Sequence, residues 1–484
     1  MRTNTIKIVF SGLIFAVAGY VGLVSAESAV YKSIPYAQAP VGEKRWAVVE
    51  DVVWDGVSYG NEFSVSCPQP RYGLGVSKEQ SEDCLFLNVW TPDTAGKHPV
   101  MVWIHGGGFR AGSGNIPGEL IAQEGVVVVS FNYRLGALGF MSHPALDSKV
   151  ANYGVMDMVS ALRWVNRHIA SLGGDPENVT IFGVSAGAMA VNLLMANDDA
   201  QGLFHKAIAQ SSYTTWPLWY TEDTYHNQRY WDGSPVKRAE DEASRLLAAV
   251  GLSEPSRQSL EGLDAQALVK AQQGFQIPIV DGTSIKAEPA RLFMSETYQP
   301  KLDAYIVGAN SYEGSVLPGT GIQLSDFTSW MSNHLDEAKT VYAVDYNYKP
   351  DIAYQRLFGD LRYLTSASLT MKAMTDRGIP TYAYIHDQPL AKDEEYILGA
   401  PHGSETGVML GMYFKTTGES GENMRRMWAN FATTGRPAPG VWPTWVPSQS
   451  YWADLLVPNR NFASQIQPRV DLIESIYATR WSTP

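Results

Sequence analysis

The chain has 484 residues, of which 45% are hydrophobic and 18% are charged, and this is the composition of an ordinary globular protein with a large core. Its formal charge of -12 argues against a nucleic-acid-binding protein, because such a protein normally presents a basic surface to phosphate groups. A core of this size needs no metal ion to fold, and no cofactor is predicted.

The first residues predict an export signal. Arg2 and Lys7 supply a positive start, and an apolar run begins at Ile8. Small residues permit cleavage after Ala18 or after Ala26, so the signal peptide spans residues 1–18 or 1–26. An uncleaved membrane anchor is the alternative, although glycine and serine residues make the run marginal for a transmembrane helix of ~20 residues. We therefore predict a secreted or periplasmic protein.

The chain contains two cysteines, Cys67 and Cys84. In an exported protein two such residues are expected to form a disulfide, which would stabilise the fold by ~3 kcal/mol in the chain-entropy model. Two buried free thiols are the alternative.

Strand and helix patterns alternate through the first half of the chain. Short apolar runs rich in β-branched residues predict buried strands, and apolar residues at spacings of three and four predict an amphipathic helix. In order, these elements are strands Pro99–Ile104 and Val126–Phe131, a helix within Asn152–Leu172, a strand at Val179–Val184, a helix at Ala186–Met195 and a strand at Lys206–Gln210. This alternation implies βαβ units and a doubly wound sheet with helices on both faces.

From about Tyr213 to Gln276 the sequence becomes rich in aromatic and charged residues, with a helical run at Ala239–Val250. We interpret this segment as an insertion rather than a second domain. Strands are predicted again at Ala304–Val307 and Thr381–His386, and a last helix at Glu422–Thr433.

The strongest local motif is Gly183–Gly187, a G-x-S-x-G between a predicted strand and a predicted helix. Small residues on both sides of the serine allow a sharp turn, which exposes the Ser185 hydroxyl above the sheet beside the helix N-terminus. This context predicts that Ser185 is a nucleophile. The alternative is a tight turn with a solvated serine.

A serine nucleophile needs a base, and the base needs an acid that fixes its tautomer. His402 lies on a loop of small residues after the strand that ends at His386, so its imidazole can reach over the sheet edge. A structural role is predicted for His386 itself and for the helical His168. Glu313 follows a strand and its loop, whereas Asp281 belongs to a turn that needs no catalytic explanation.

A glycine-rich loop, His105–Phe109, directly follows the strand at Pro99–Ile104. Consecutive glycines leave backbone amides uncovered and able to converge on one oxygen. Together with the amide of Ala186, these groups can form an oxyanion hole. A flexible glycine turn without this role is the alternative.

Several longer stretches resemble those of the type-B carboxylesterases, members of the α/β-hydrolase superfamily related to the cholinesterases and to bacterial esterases active on nitrobenzyl esters. They extend over nearly the whole chain and are Ser33–Trp46, Ser81–Trp90, WIHGGGF, Phe131–Phe140, Gly173–Ala188, GANSYEG around Glu313 and GAPHGSE around His402. The resemblance implies one α/β-hydrolase domain over residues 27–484, with a central, mostly parallel twisted sheet and a helical, aromatic insertion at about 213–276.

The resemblance also implies roles for individual residues. The residues that match the catalytic triad of the family are Ser185, Glu313 and His402. The residues that match its oxyanion donors are Gly107, Gly108 and Ala186. Those that match its structural features are the disulfide pair Cys67 and Cys84, the ion pairs Arg45 with Glu82 and Arg134 with Asp157, and Ser211, a serine behind the triad.

Two positions depart from the family pattern. Val184 stands immediately before the nucleophile, where relatives usually carry Glu, and Leu74 lies near the place of a tryptophan that cholinesterases use to bind a quaternary ammonium group. Cation binding depends on aromatic faces and nearby negative charge. We therefore expect uncharged esters rather than choline esters as substrates.

The predicted function is a serine carboxylic ester hydrolase that forms an acyl-enzyme and acts on a small-molecule ester, with no nucleic-acid partner and no obligatory membrane. Phe109, Trp216 and Trp219 are candidates for the substrate pocket, with ordinary core packing as the alternative. Two alternatives remain for the function. One is a catalytically inactive adhesion or binding protein of the same fold, and the other is an amidase, carbamate hydrolase or lipase that uses the same triad.

Overall fold

The structure is a computed structural model that describes residues 28–56, 59–146, 149–226, 228, 234–388, 399–411, 418–447 and 450–481. The predicted signal peptide, whether it ends at Ala18 or at Ala26, lies outside these residues. Among the helices that are described, none is long and apolar enough to cross a membrane.

The described residues form eleven strands, which are β1 (Ala29–Pro35), β2 (Phe86–Thr91), β3 (His98–Ile104), β4 (Val127–Phe131), β5 (Gly174–Val184), β6 (Lys206–Gln210), β7 (Trp219–Tyr220), β8 (Ile279–Val280), β9 (Ala304–Asn310), β10 (Thr381–His386) and β11 (Ala453–Asp454). Nine of them make one sheet in the order β1-β2-β4-β3-β5-β6-β9-β10-β11, and β7 pairs with β8. The β1–β2 and β2–β4 pairs are antiparallel, whereas every pair from β4 to β11 is parallel.

Seventeen α-helices lie in the same parts of the chain, namely α1 (Glu119–Ala122), α2 (Gly136–Gly139), α3 (Tyr153–His168), α4 (Ala186–Met195), α5 (Ala239–Ala249), α6 (Arg257–Glu261), α7 (Ala265–Ala271), α8 (Pro289–Met294), α9 (Leu317–Thr320), α10 (Leu324–Trp330), α11 (Leu335–Val341), α12 (Ala343–Tyr348), α13 (Pro350–Gly359), α14 (Thr365–Asp376), α15 (Ser404–Met409), α16 (Gly418–Thr434) and α17 (Ala463–Trp481).

The central strands are apolar on both faces, as the continuous apolar runs predict. Along β3, Val100 and Val102 point into a core shared with α3, α4, α14 and α17, while Met101 and Trp103 point into a second core shared with α1 and α16. Successive side chains of a strand point to opposite faces, so the sheet lies between two helical layers. The predicted fold class, an α/β-hydrolase with a mostly parallel sheet, is confirmed.

The predicted insertion contains β7 and the helices α5, α6 and α7. Apolar residues of these helices share a small core with Trp46, Leu138 and Tyr153 of the main body. Asp281, which the sequence analysis left without a catalytic role, accepts hydrogen bonds from the backbone of Ala151 and the side chain of Asn152, so it ties the turn after β8 to the residues just before α3.

The disulfide and both ion pairs implied by the resemblance are present. Cys67 and Cys84 are bonded. Arg45 pairs with Glu82 and also donates to the carbonyls of Leu260 and Leu263, which anchors α6. The buried second pair, in which Arg134 Nη2 lies 2.7 Å from Asp157 Oδ1, links the turn after β4 to α3.

Candidate active site

The site lies at the edge of the sheet where the parallel strands β3, β5, β9 and β10 end. The glycine loop follows β3, Ser185 follows β5, Glu313 comes three residues after β9, and His402 comes after β10. Because the carboxyl ends of parallel strands meet at the same sheet edge, this topology brings together residues that are far apart in sequence.

Ser185 occupies a strained turn between β5 and α4. Its backbone has φ 59° and ψ −121°, which is rare for a residue with a side chain. The glycines on either side are required because the chain passes very close to β3. A Cβ at Gly183 would lie 2.6 Å from the carbonyl oxygen of Ile104, and one at Gly187 would lie 2.1 Å from the same oxygen.

A buried carboxylate orients the candidate base. His402 Nδ1 lies 2.5 Å from Glu313 Oε2, and the other oxygen of Glu313 accepts the backbone N–H of Asn310 at 2.6 Å. The backbone N–H of His402 donates to Ser315 Oγ at 2.8 Å. Since Nδ1 donates to the carboxylate, Nε2 is left as the acceptor, and it is buried without a hydrogen-bond partner among the described residues.

Tyr363 lies beside both the nucleophile and the base, and the sequence analysis missed it. Its ring centroid lies 4.5 Å from that of His402. Burial raises the pKa of Tyr363 to about 12, and the Arg362 guanidinium and the Ser185 hydroxyl oppose this rise, so Ser185 lies beside the phenol. Tyr363 therefore stays protonated at neutral pH. It belongs to a π-helical turn, Asp360–Leu364, an irregularity that is frequent at functional sites.

Two glycines explain how this turn reaches the site. A Cβ at Gly359 would lie 2.4 Å from the backbone nitrogen of Gly314, and one at Gly314 would lie 2.1 Å from the carbonyl oxygen of Gln355. The end of α13 can therefore pack directly on the backbone around Glu313. The helical segment that follows carries Tyr363 to the imidazole.

A second carboxylate, Glu405, is buried behind the first and was also missed. Asn310 Nδ2 donates to its Oε2 at 2.6 Å, while the backbone N–H of Asn310 binds Glu313. Burial, reinforced by repulsion from Glu313, raises the pKa of Glu405 to about 7. Its position three residues after His402 was visible in the sequence, but its burial was not.

The glycine loop packs against the serine turn. Gly107 and Gly108 have φ values of 110° and 64°. Within the described residues, the amides of Gly107, Gly108 and Ala186 donate no hydrogen bond, as oxyanion donors require. His105 stacks on Tyr133 at 4.2 Å, and burial lowers the pKa of His105 to about 4, so this imidazole is neutral.

A cavity of about 630 Å³ opens beside the loop. Trp216, Trp219, Phe275 and Arg362 line it, so two of the three predicted pocket residues lie here. Phe275 also packs on the loop, since a Cβ at Gly108 would lie 2.2 Å from its ring. The third predicted residue, Phe109, does not line this cavity, because its ring is fully buried 5.1 Å from that of Phe140.

The remaining candidate histidines have structural surroundings. His168 packs against Trp54 and Trp164, and His386 is buried at the end of β10, where burial lowers its pKa to about 4. Ser211 is fully buried, and its backbone N–H binds β9. In the described parts of the chain, no group of three or more His, Cys, Asp or Glu residues is arranged to hold a metal ion.

Comparison with known proteins matches residues 19–477 to the carboxylesterase family. The chain is 31% identical to a fumonisin B1 esterase of Sphingopyxis macrogoltabida, over 88% of this chain and 83% of that protein. It is 37% identical to a para-nitrobenzyl esterase of Bacillus subtilis (strain 168), over 56% of this chain and 53% of that protein. The crystal structure of a carboxylesterase of Geobacillus stearothermophilus superposes with a TM-score of 0.74 at 28% identity, covering 91% of this chain and 96% of that chain.

Proposed function

Because this chain belongs to the carboxylesterase family and is a carboxylic ester hydrolase, we propose that it works through an acyl-enzyme formed on Ser185, with His402 as the base and Glu313 as the residue that orients it. The observation that carries this proposal is the His402–Glu313 hydrogen bond of 2.5 Å, which leaves Nε2 as an acceptor next to a serine held at φ 59°.

In the first step, Ser185 Oγ attacks the ester carbonyl carbon while His402 Nε2 takes the hydroxyl proton. The amides of Gly107, Gly108 and Ala186 hold the oxygen that becomes negative. The protonated imidazole then gives its proton to the departing alcohol. In the second step, His402 takes a proton from water, the hydroxide attacks the acyl-enzyme, and Ser185 leaves with the proton as the acid is released.

His402 Nε2 and Ser185 Oγ share no hydrogen bond in the free protein, although both groups contact Tyr363. Such bonds often tighten only when the substrate binds. We infer that Tyr363 keeps the imidazole in position. It does not compete as a base, because burial raises its pKa to about 12.

We further propose esters without a positive charge as substrates. The side chain next to the nucleophile is Val184, and Leu74 packs in the second core, so neither position supplies the negative charge or aromatic face that a choline group needs. Hydrolysis of amides, carbamates or lipids remains a second candidate, because the same residues would serve it.

The proposal is tested by replacing the nucleophile. Ser185→Ala should lower kcat for p-nitrophenyl butyrate by about a millionfold, the loss known for the serine of subtilisin. Ser171→Ala, at an exposed serine in the turn after α3, is the matched control and should keep full activity. A fluorophosphonate should label the parent protein at Ser185 and leave the variant unlabelled. Turnover by Ser185→Ala near that of the parent would refute the nucleophile, and no turnover by the parent would favour the inactive alternative.

A panel of substrates separates the remaining candidates. p-Nitrophenyl esters of increasing acyl length, an anilide and an emulsified triglyceride differ in the group released but need the same nucleophile. We expect the short and medium esters to react fastest. Faster turnover of the anilide or the triglyceride would instead favour the amidase or the lipase.

We also propose that the chain is exported and carries its first residues as a cleaved signal. The disulfide between Cys67 and Cys84 agrees with an oxidising compartment. N-terminal sequencing of the mature protein should find a start after Ala18 or after Ala26. An intact Met1 in the mature protein would contradict cleavage.

A further inference from the structure

Arg362 is buried inside a box of aromatic rings. Its residue is only 1% exposed. The guanidinium carbon lies 4.3 Å from the ring centroid of Tyr213 and 4.4 Å from that of Trp216. It lies 5.7 Å from the ring of Tyr363 and 6.0 Å from that of Phe275. A permanent positive charge has therefore been removed from water.

Among the described residues, this charge has no anionic partner. Nε and Nη2 of Arg362 are buried without a hydrogen bond, and no carboxylate among the described residues lies within ion-pairing distance of it. Taking a guanidinium out of water carries a desolvation penalty. Cation–π contacts with the four rings oppose this penalty, and a bound anion would offset it further.

The other buried arginines of the described residues each pair with a carboxylate. Arg45 is paired with Glu82, Arg134 with Asp157 and Arg356 with Asp345, and the partly buried Arg469 is paired with Asp360. Asp360 is only two residues from Arg362, yet its oxygens bind Arg469 and the hydroxyl of Tyr342. The parts of the chain that the structure describes thus supply a carboxylate to the other buried arginines and none to Arg362.

The position of Arg362 indicates which kind of ligand could pair with its charge. The residue lines the cavity of about 630 Å³. The guanidinium carbon lies 5.7 Å from the ring centroid of Tyr363, and that centroid lies 4.5 Å from the centroid of the His402 ring. The distance from the guanidinium carbon to the imidazole therefore cannot exceed the sum of these two distances. Arg362 therefore lies within the length of one small molecule from the imidazole.

Other charges on the cavity wall are already satisfied. Lys237 and Arg245 both pair with Glu242. Asp326 lies at an exposed position, where water screens its charge. Arg362 is thus the unpaired cation of this wall among the described residues, and the apolar rings beside it suit the hydrocarbon part of a ligand.

We propose that Arg362 binds a carboxylate group of the substrate, so that the preferred substrates are esters that carry a free carboxylate a few bonds from the ester. Planar guanidinium groups suit this role because they bind carboxylates through two parallel N–H groups. The proposal rests on Ser185 as the nucleophile. It departs from the expectation of an uncharged ester, since the substrate would carry a negative charge, bound at a distance from the reacting carbonyl.

The carboxylate can belong to the acyl part or to the alcohol part, and two pairs of esters distinguish them. Monoethyl adipate and ethyl hexanoate differ only by a carboxylate in place of a methyl group at the end of the acyl chain. 4-Acetoxybenzoate and 4-acetoxytoluene differ in the same way on the leaving group. The measured quantity is the ratio of kcat/KM for the carboxylate ester to that for its neutral partner.

We expect the parent protein to favour the carboxylate ester at least tenfold in one pair. Arg362→Met should lower that ratio by about 30- to 1000-fold, since truncating one partner of a buried charge pair costs about 2–4 kcal/mol. The ratio for Arg362→Lys, which keeps the positive charge but lacks the planar guanidinium, should lie between those of the parent protein and Arg362→Met. Arg245→Met, at the paired arginine of the same wall, is the control and should leave the ratio unchanged.

Several outcomes would overturn the inference. One is a ratio near one in both pairs for the parent protein, and another is an equal loss on both members of a pair in Arg362→Met. If Arg362→Met does not fold, competitive inhibition of the parent protein decides, because adipate should inhibit ethyl hexanoate hydrolysis at least tenfold more strongly than 1,6-hexanediol. Equal inhibition would refute a carboxylate site. By contrast, neutral esters that react equally in the parent and in Ser185→Ala would refute the proposed function itself.

Discussion

Replacing Gly108 by alanine should damage catalysis through one identifiable contact. The added Cβ would lie 2.2 Å from the ring of Phe275, and the residue has φ 64°, so Gly108→Ala must displace either the ring or the loop. The left-handed backbone adds about 1 kcal/mol of strain. If the loop amide moves, the oxyanion loses a donor, and kcat/KM should fall by about 100- to 1000-fold.

Three further variants separate the clash from the strain. In a Phe275→Ala background the clash is absent, so Gly108→Ala should cost only about tenfold there. Gly107→Ala should not be rescued in this way, because its Cβ would meet the backbone oxygen of Ala111 at 2.1 Å. Gly125→Ala is the control, since that glycine has φ 85° and nothing within 4 Å of the Cβ position.

The assay is kcat/KM for p-nitrophenyl butyrate, with the free energy of unfolding measured in urea for each variant. We expect Gly125→Ala to lose about 1 kcal/mol of stability and no activity. The reasoning would be refuted if Gly108→Ala cost the same with and without the Phe275 ring. It would also fail if Gly125→Ala lost activity to the same extent.

Three more predictions concern charge and covalent structure. Because the pKa of Glu405 is raised to about 7 from its ordinary 4.5, the unfolded chain loses this proton first as pH rises between these values, so stability falls by about 3 kcal/mol over that range. Urea unfolding at pH 4.5 and 8 should show this fall largely removed in Glu405→Gln, and an unchanged fall would contradict the assignment. Butyrylcholine should have a kcat/KM at least tenfold lower than that of its uncharged analogue 3,3-dimethylbutyl butyrate, because Val184 and Leu74, the two positions considered for cation binding, are apolar. A higher kcat/KM for the choline ester would overturn this preference. Cys67→Ser with Cys84→Ser should lower the free energy of unfolding by about 3 kcal/mol in urea, while an unchanged value would show that the loop is already held by its other contacts.

The parts of the site that a sequence reveals are those built from local geometry. The Ser185 turn needs a strand, two close glycines and a helix in succession, and all of them are contiguous in the chain. The helix predicted within Asn152–Leu172 was also found, although α3 ends at His168 and a tight turn closes it at Gly173. Long periodic segments and short glycine motifs carry their structure in neighbouring residues.

The parts that sequence reasoning missed depend on the sheet. The helices α9 to α13 have four to ten residues each, too short for the period of an amphipathic helix to be recognised. Nothing near Tyr363 in sequence signals catalysis, because the residue reaches His402 only after β5, β9 and β10 have aligned. Phe109 shows the converse, since a φ of 52° accompanies a ring that lies in the core rather than in the cavity.

The charges around the site disfavour a cationic substrate. The neutral Val184 stands before the nucleophile, where the family resemblance implies a glutamate, while Glu405 resists ionisation because it is buried and lies near Glu313. On the cavity side Arg362 adds a positive charge that no carboxylate of the described residues neutralises. The loss of an acid and the presence of an open cation both disfavour a cationic substrate, but only the second also favours an anionic one. Comparing a neutral ester with its cationic and carboxylate analogues therefore separates the two effects, because Val184→Glu should change the cationic ratio most strongly and Arg362→Met the carboxylate ratio.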